Sequence, residues 1–564
     1  MRQSSSSYST ISLLQTLFLR HFSTKTTRTK TLPSLTKTIP SKYRSIAIQQ
    51  AQEVLTRHLQ NTSALPFTYA QLISKNSIHS ISEIISKVPF SSSAFRYKFQ
   101  SFLLYNPINE FGFFYESIGI DYLNIHKFLK PDVQFCIVFD AACCLAEFGF
   151  PWDKLGRLYV EEDLIFRQKP EVLRGRLDGL VSLGFGNQQI IGICFAFPGL
   201  LKEQEKGGLD CDYDALLDDL KRVFLDLDLE SCMVGNSDVW FEVCEKVKFF
   251  YELGVKKGEF LKLIVSILTC YPMETLGEKV EFFSRLGFEK SEIGVLILSN
   301  PKILGIKIED RVISVSSILK HFGLCKEKLL SVEEKYAYVF GRNKMVNLPS
   351  ILRALDLHEW FFDRMKCGDY KLFDSYDLSS PDDGLDENYV QHLESLKTER
   401  TYSYSFSKLK FLHGIGFGEN GLTVKLFASL QGSAGDLQER FDFLLSEGIE
   451  FSKLFKMMSR TPKILNQEMG SLKKKLQFFV EEIDLPLNYL ETFPSYFLYN
   501  LETRIKPRYK FHVWLTDQGL CTKKITLATI ISVGHKGFVS QLSRIHPSAP
   551  QLWMEQYGNK KVDL

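Results

Sequence analysis

Apolar residues in this chain recur at intervals of three and four, and sustained alternation is absent. Three stretches make the pattern plain. Residues 184–201 read GFGNQQIIGICFAFPGLL, 287–304 read GFEKSEIGVLILSNPKIL and 448–465 read GIEFSKLFKMMSRTPKIL. Aligned on their glycines, all three place a proline fourteen residues on, at Pro198, Pro301 and Pro462. Between these points Ile190, Ile293 and Leu454 are equivalent, as are Ile193, Leu296 and Met457, and then Cys194, Ile297 and Met458. That spacing, i, i+3, i+4, is one face of a helix. Upstream, Leu177, Val280 and Phe441, followed by Leu180, Phe283 and Leu444, predict a preceding amphipathic helix.

The punctuation fits the periodicity. Glycine at the end of the first helix supplies a left-handed stop. Ser291 and Ser452 stand where an N-cap would open the second helix. Proline, lacking an N–H and clashing with the turn before it, ends that helix. The Ile-Leu or Leu-Leu pair that follows is expected to fold back through a short 3₁₀ turn.

Similar turns recur at Gly119, Gly149, Gly184, Gly254, Gly287, Gly323, Gly416, Gly448, Asp484 and Gly519, mostly 30–36 residues apart. A period of that size marks a solenoid in which each helix pair covers its neighbour's apolar face. The expected fold is all-α, a curved α-solenoid. Between Gly323 and Gly416 the units degenerate, with LPSIL at Leu348–Leu352 as a remnant. The expected organisation is a transit peptide and disordered segment over 1–45, a helical extension over 46–99 and repeats over 100–368. An acidic insertion loop at 369–400, C-terminal repeats over 401–545 and a tail over 546–564 complete it.

Composition refines this picture. A chain of 564 residues exceeds one compact core. Met1–Ser45 holds eight Lys or Arg and no acid, and Leu13, Leu14, Leu17 and Phe18 share one helical face. Such a basic, hydroxyl-rich, amphipathic start reads as an organelle transit peptide, mitochondrial rather than plastid, with LRHFST as a processing site after Phe22. Eleven scattered cysteines without a C-x-x-C fit a reducing matrix and free thiols. The most apolar stretch, DVQFCIVFDAACCLAEFGF, is interrupted by Asp140 and Glu147, so no membrane span is expected.

The Gly-Phe turn, the apolar helix, the Pro-x-Ile-Leu stop and the basic-apolar helix after it resemble the repeat of the mitochondrial transcription termination factor (mTERF) family. The resemblance covers roughly 100–540, is strong in three units, and fits the large plant branch best. Residues 202–245 and 323–400 depart from the pattern. The resemblance implies repeats of two α-helices and one 3₁₀ helix, and nucleic-acid binding along a basic concave surface in mitochondria or chloroplasts.

Charge is unevenly distributed although the net value is only +3. Residues 202–245 carry thirteen acids against four bases, 369–399 nine against two, while 453–544 carry fifteen bases against seven acids. In the last aligned repeat Lys453, Lys456 and Arg460 form one stripe away from Leu454, Met457 and Met458, and Lys463 follows. The middle unit has Glu292, Val295, Ser299 and Lys302 there, and the first has Gln189, Gly192, Ala196 and Gly199.

Lys473, Lys474 and Lys475 are expected at the start of the next helix, where cations oppose the macrodipole and so point to an anionic partner. Leu472, Leu476, Phe479 and Ile483 face inward. Arg504, Lys506, Arg508 and Lys510 in RIKPRYKFH, and Lys523 and Lys524 after the Gly519 turn, extend the candidate set. About six to eight phosphate contacts would give a log–log salt slope of roughly −5 to −7 on duplex DNA. Tyr509, Phe511 and Trp514 read as packing residues, with base stacking as the alternative.

Enzyme signals fail. GFGENG at Gly416–Gly421 matches G-x-G-x-x-G, with Asp436 downstream, but KLKFLHGIGF aligns with the repeat segment KVEFFSRLGF, so no βαβ unit surrounds it. No P-loop, H-E-x-x-H or zinc-spaced His/Cys cluster occurs. His413 and His512 read as structural. The expectation is a monomeric, cofactor-free organellar protein that binds double-stranded DNA and regulates transcription. RNA binding in splicing or transcript processing is the alternative on the same fold, and a protein-interaction scaffold the alternative of another class.

Overall fold

The computed structural model describes residues 39–91, 93–129, 134–202, 211–224, 237–255, 271–306, 308, 311–373, 386–397, 402–521 and 525–557. The candidate transit segment up to residue 38 and the middle of the acidic insertion, 374–385, lie outside the described residues. Nearly all described segments are α- or 3₁₀-helical. One antiparallel strand pair, Val312–Ser314 with Arg342–Lys344, registers Ile313 opposite Asn343. The chain divides into two compact units, one built from residues up to Gly277 with Lys290–Pro301, the other from Glu278–Glu289 with Lys302 onward.

All ten predicted turn residues adopt left-handed backbone. The nine glycines have φ between +70° and +119°, and Asp484 has φ 54°. The fifteen residues read as inward-facing in the three aligned repeats are all buried, from Leu177 to Met458. A fully buried Leu, Ile or Phe contributes about 1.5–3 kcal/mol, so each helix pair is held by its apolar stripes. After the helix stops, Pro198–Leu201, Pro301–Gly305, Pro462–Asn466 and Pro494–Leu498 are 3₁₀ helices.

In the first unit the chain enters through Ser41–Ser63, so residues 41–45 are helical, a correction to the expected disordered segment. Gly192 packs so closely on the next repeat that an added Cβ would lie 2.6 Å from the Trp240 side chain. A further repeat turn of the second unit carries no glycine. Asp356, 33 residues after Gly323, has φ 56° and separates Leu348–Ala354 from His358–Lys366. An Asp in the left-handed region gives a weaker signal than Gly, although Asn and Asp tolerate it.

Three further expectations need correction. The acidic insertion contains a helix, Glu387–Lys397, with Tyr389 and Leu396 buried. The C-terminal stretch 546–557 is no tail: Ala549–Tyr557 packs Trp553, 1% exposed, against Phe511 and Phe538. It covers the apolar side of Lys506–Asp517, where Phe511 and Leu515 are buried. Glu450, not Ser452, is the N-cap residue of Phe451–Arg460, and it makes no side-chain cap bond. Ser291 likewise sits inside Lys290–Ser299.

GFGENG is a repeat turn. A Cβ on Gly418 would fall 2.2 Å from the Phe340 carbonyl oxygen, so close backbone approach explains that glycine, and Gly416 has φ +105°. Asn420 caps Gly421–Ser429 and donates to the Phe340 carbonyl at 2.6 Å. Asp436 forms a capping box with Ser433 at the start of Ala434–Ser446.

Candidate nucleic-acid interface

The C-terminal repeats form two helical layers. First helices Tyr402–Gly414, Ala434–Ser446, Met469–Phe478 and Lys506–Asp517 follow one another, while Phe451–Arg460 packs against Leu348–Ala354 and Tyr489–Thr492 in the second layer. This layering divides the predicted cations among the described residues.

One group lies on Phe451–Arg460 and the 3₁₀ helix after it. The sixteen residues Phe451–Asn466 carry Lys453, Lys456, Arg460 and Lys463 and not one carboxylate. The helix sorts them because Leu454, Phe455, Met457 and Met458 are buried, leaving the cationic positions facing outward. Lys453 pairs with Glu450 at 2.6 Å and Lys456 with Glu491 at 3.7 Å. Arg460 donates to the Glu491 carbonyl at 3.4 Å. Lys463 is exposed.

One cation outside the predicted set joins this group. Lys335 and Lys456 both lie over the ring of Tyr336, at 4.9 and 5.7 Å from its centroid. Lys335 was not legible, because it comes from the degenerate region and reaches the stripe only through tertiary packing. The Arg353 guanidinium sits over the buried Phe451 at 4.4 Å, on the opposite side of the helix from the stripe, with its pKa lowered by burial.

The other group lies on the first-helix layer. Lys473 stacks over Phe443 at 5.5 Å, and Lys474 is exposed beside it. Lys506 and Lys510 approach Phe478 at 5.8 and 6.0 Å. Lys506 is paired with Glu502, and Lys510 with Glu482 at 3.2 Å. Two of the four cations on this face are thus paired with acids. The eleven described cations do not converge on one surface.

Three of them point inward and are corrected here. Lys475 is 3% exposed and donates to the Phe497 carbonyl at 2.6 Å and to Gln467 Oε1 at 2.9 Å, with burial pushing its pKa down. Arg508 is 2% exposed, donates to the carbonyls of Ile530 and Ile531 and lies 4.5 Å over Phe538. Arg504 donates to the carbonyls of Ile531, Ser532 and Val533, each at 2.9 Å. Basic side chains that close the last carbonyls of a helix are a common terminus. Lys523 and Lys524 lie outside the described residues.

The macrodipole argument for Lys473–Lys475 also lapses. Their helix starts at Met469, so the lysines sit past its first turn.

The inward cations obey a rule present in the sequence. Lys279, Lys408, Arg440, Lys475 and Arg508 each begin the pattern basic, apolar, any, Phe. Each donates to a carbonyl near the end of its own repeat: Lys279 to Ile306, Lys408 to Leu430, Arg440 to Leu465, Lys475 to Phe497 and Arg508 to Ile530. Lys279, Lys408 and Arg440 stand eight residues before their left-handed glycine; Lys475 stands nine before Asp484, across the π-turn Phe479–Ile483. In these five repeats the cation with this pattern belongs to the scaffold, whereas Arg96, which opens the same RYKF run in the first unit, is exposed and pairs with Glu53.

The aromatic and histidine candidates are also structural. Phe511 is fully buried, Trp514 packs beside it and the Tyr509 hydroxyl donates to the Glu482 carbonyl at 3.1 Å. His413 donates from Nδ1 to the Phe417 carbonyl at 2.8 Å and accepts from the Tyr389 hydroxyl at 2.7 Å through Nε2. Burial holds its pKa below the ordinary histidine value, as it does for His512. Among the described residues no single helix is long and apolar enough to cross a membrane.

Comparison with known proteins agrees with the repeat architecture. The mTERF family model matches residues 231–356 and 402–539. The mitochondrial transcription termination factor MTEF18 of Arabidopsis thaliana is 41% identical over 532 residues, spanning 93% of this chain and 95% of that protein. The chloroplastic transcription termination factor MTERF8 of the same plant is 24% identical over 217 residues, 38% of this chain and 39% of its own. The chain belongs to the mTERF family of helical-repeat proteins.

Proposed function

We propose that this protein is a mitochondrial regulator of transcription that binds double-stranded DNA through the outward face of Phe451–Arg460 and the 3₁₀ helix after it. The observation that carries the reading is the run Phe451–Asn466, four cations without a carboxylate on a rigid helix and its 3₁₀ extension. Lys335 enlarges the patch. Glu450 does not cancel it, since its carboxylate is largely exposed and ion pairs of that kind are worth about 0–1 kcal/mol and yield to a polyanion.

Such a surface grips the backbone. Each neutralised phosphate releases condensed counterions, which makes affinity steeply salt-dependent. Phosphate contacts fix register and orientation and carry little sequence information. With four or five available cations on this face, the expected log–log slope on a duplex is roughly −4 to −5. That is shallower than thirteen converging cations would suggest, because the structure divides the set and buries part of it.

The mitochondrial address follows from the basic, acid-free N-terminus and the name of the 41% identical relative. Crosslinking in isolated mitochondria, followed by sequencing of both DNA and RNA, tests the partner. Enrichment of discrete DNA regions supports the reading; recovery of RNA alone would replace it with the transcript-processing alternative.

A further inference from the structure

The basic face contains an acid that works against its use. Glu491 belongs to the next repeat, on the short helix Tyr489–Thr492, and its carboxylate reaches back to 3.7 Å from Lys456 Nζ. Its backbone carbonyl receives Arg460 Nη1 at 3.4 Å. Its charge also acts on Lys453 and Lys335, as does that of Asp356, but of the two only Glu491 makes an ion pair with a stripe lysine among the described residues. The buried Tyr336 ring forms the floor, with Lys335 and Lys456 over it.

Glu450 provides the contrast. Its side chain is 65% exposed and pairs with Lys453 three residues away on the same helix, so it swings aside at little cost. Glu491 and Lys456 are only 28% and 23% exposed, and they come from different repeats. Packing between Phe451–Arg460 and Tyr489–Thr492 keeps that carboxylate among the cations.

We propose that Glu491 is an internal competitor for the anionic partner, a carboxylate held among Lys335, Lys453 and Lys456 where a phosphate group would otherwise sit. The inference rests on the reading given under Proposed function. A phosphate entering this patch meets a like charge and must share or displace it. The competitor lowers affinity, removes one cation from the counterion-release count and hastens departure from the duplex. A protein that must bind tightly enough to act and still leave gains reversibility from such an acid.

The test uses the full chain as wild type, Glu491→Gln, Glu491→Ser and Glu491→Asp, each checked for an unchanged melting temperature. Binding to a short mixed-sequence DNA duplex is measured across a salt series. Glu491→Gln and Glu491→Ser should both bind about three- to tenfold tighter at low salt, with a log–log slope steeper by about one. Glu491→Asp should stay close to wild type. If wild type binds with a steep slope and the charge-free variants are unchanged or weaker, the competitor role is wrong and the DNA reading stands. If the two charge-free variants disagree, side-chain packing rather than charge is at work and the proposal fails. Wild type showing no salt-dependent duplex binding would remove both.

Discussion

Two helices in this protein stop at the same tetrapeptide and present different faces to solvent. Lys290–Ser299 runs into Pro301-Lys-Ile-Leu, and Phe451–Arg460 into Pro462-Lys-Ile-Leu. Their inner faces are interchangeable in kind: Ile293, Leu296 and Ile297 in one, Leu454, Met457 and Met458 in the other, all at most 2% exposed. Outside, the first offers Glu292, Val295 and Ser299 where the second offers Lys453, Lys456 and Arg460. Val295 is 46% exposed at the position of Lys456, so the first helix gives up a solvated site to an apolar residue. A packing problem fixes the shared part, while the outward positions are free to differ. Function in a repeat protein is therefore best sought where aligned copies disagree.

The comparison can be broken or sharpened at four places. The largest effect belongs to the scaffold cations. Lys475→Ala leaves the buried Phe497 carbonyl without its donor and opens a cavity, which should cost about 3 kcal/mol in denaturant unfolding. The salt slope of DNA binding by the folded fraction should not change. A slope that falls by one would mean that Lys475 reaches phosphate after all.

Next comes the stripe itself. Combining Lys453→Ala, Lys456→Ala and Arg460→Ala should weaken duplex binding about tenfold to a hundredfold at low salt, or roughly 1.4–2.8 kcal/mol. It should flatten the slope by two to three, equally on unrelated sequences. Unequal losses between sequences would show base readout.

Acid should act through His413. Its folded pKa lies below the unfolded value of about 6.5, because burial disfavours the imidazolium. The unfolded chain therefore binds the proton more readily. The stabilisation is complete above about pH 6.5 and is lost as pH falls from there through the depressed folded pKa. His413→Gln should reduce this fall in a chemical-denaturation series from pH 7 to 5; an unchanged profile would exclude the histidine as its source.

The smallest effect is expected from Val295→Lys, which gives the middle repeat one cation of the C-terminal face. Exposed substitutions of this kind stay within about 0.5 kcal/mol. A larger loss of stability would mean that the apolar residue is packed rather than solvated.

Much of this was legible in advance. Local chemistry sets the turns, since a left-handed residue every 30–36 positions leaves a mark in sequence, and each of the ten predicted positions has positive φ. The apolar stripes were legible for the same reason. The fate of individual cations was harder to read. Lys474 and Lys475 are neighbours in one run, yet one is exposed and the other buried against a carbonyl 22 residues on. The phase of the helix decides between them, and the π-turn at Phe479–Ile483 shifts that phase relative to the other repeats. The pattern of basic, apolar, any, Phe would have separated them had all the repeats been aligned on it. Lys335 carried no such signal, because only the Tyr336 ring that it shares with Lys456 places it beside the stripe.

The central claim is that one helix face, and not the whole basic C-terminus, holds the nucleic acid. The salt dependence of duplex binding measures it directly. Four or five contacts predict a log–log slope of roughly −4 to −5, falling to about −2 in the triple variant of Lys453, Lys456 and Arg460. A flat response in wild type, or a triple variant with the wild-type slope, would contradict the account.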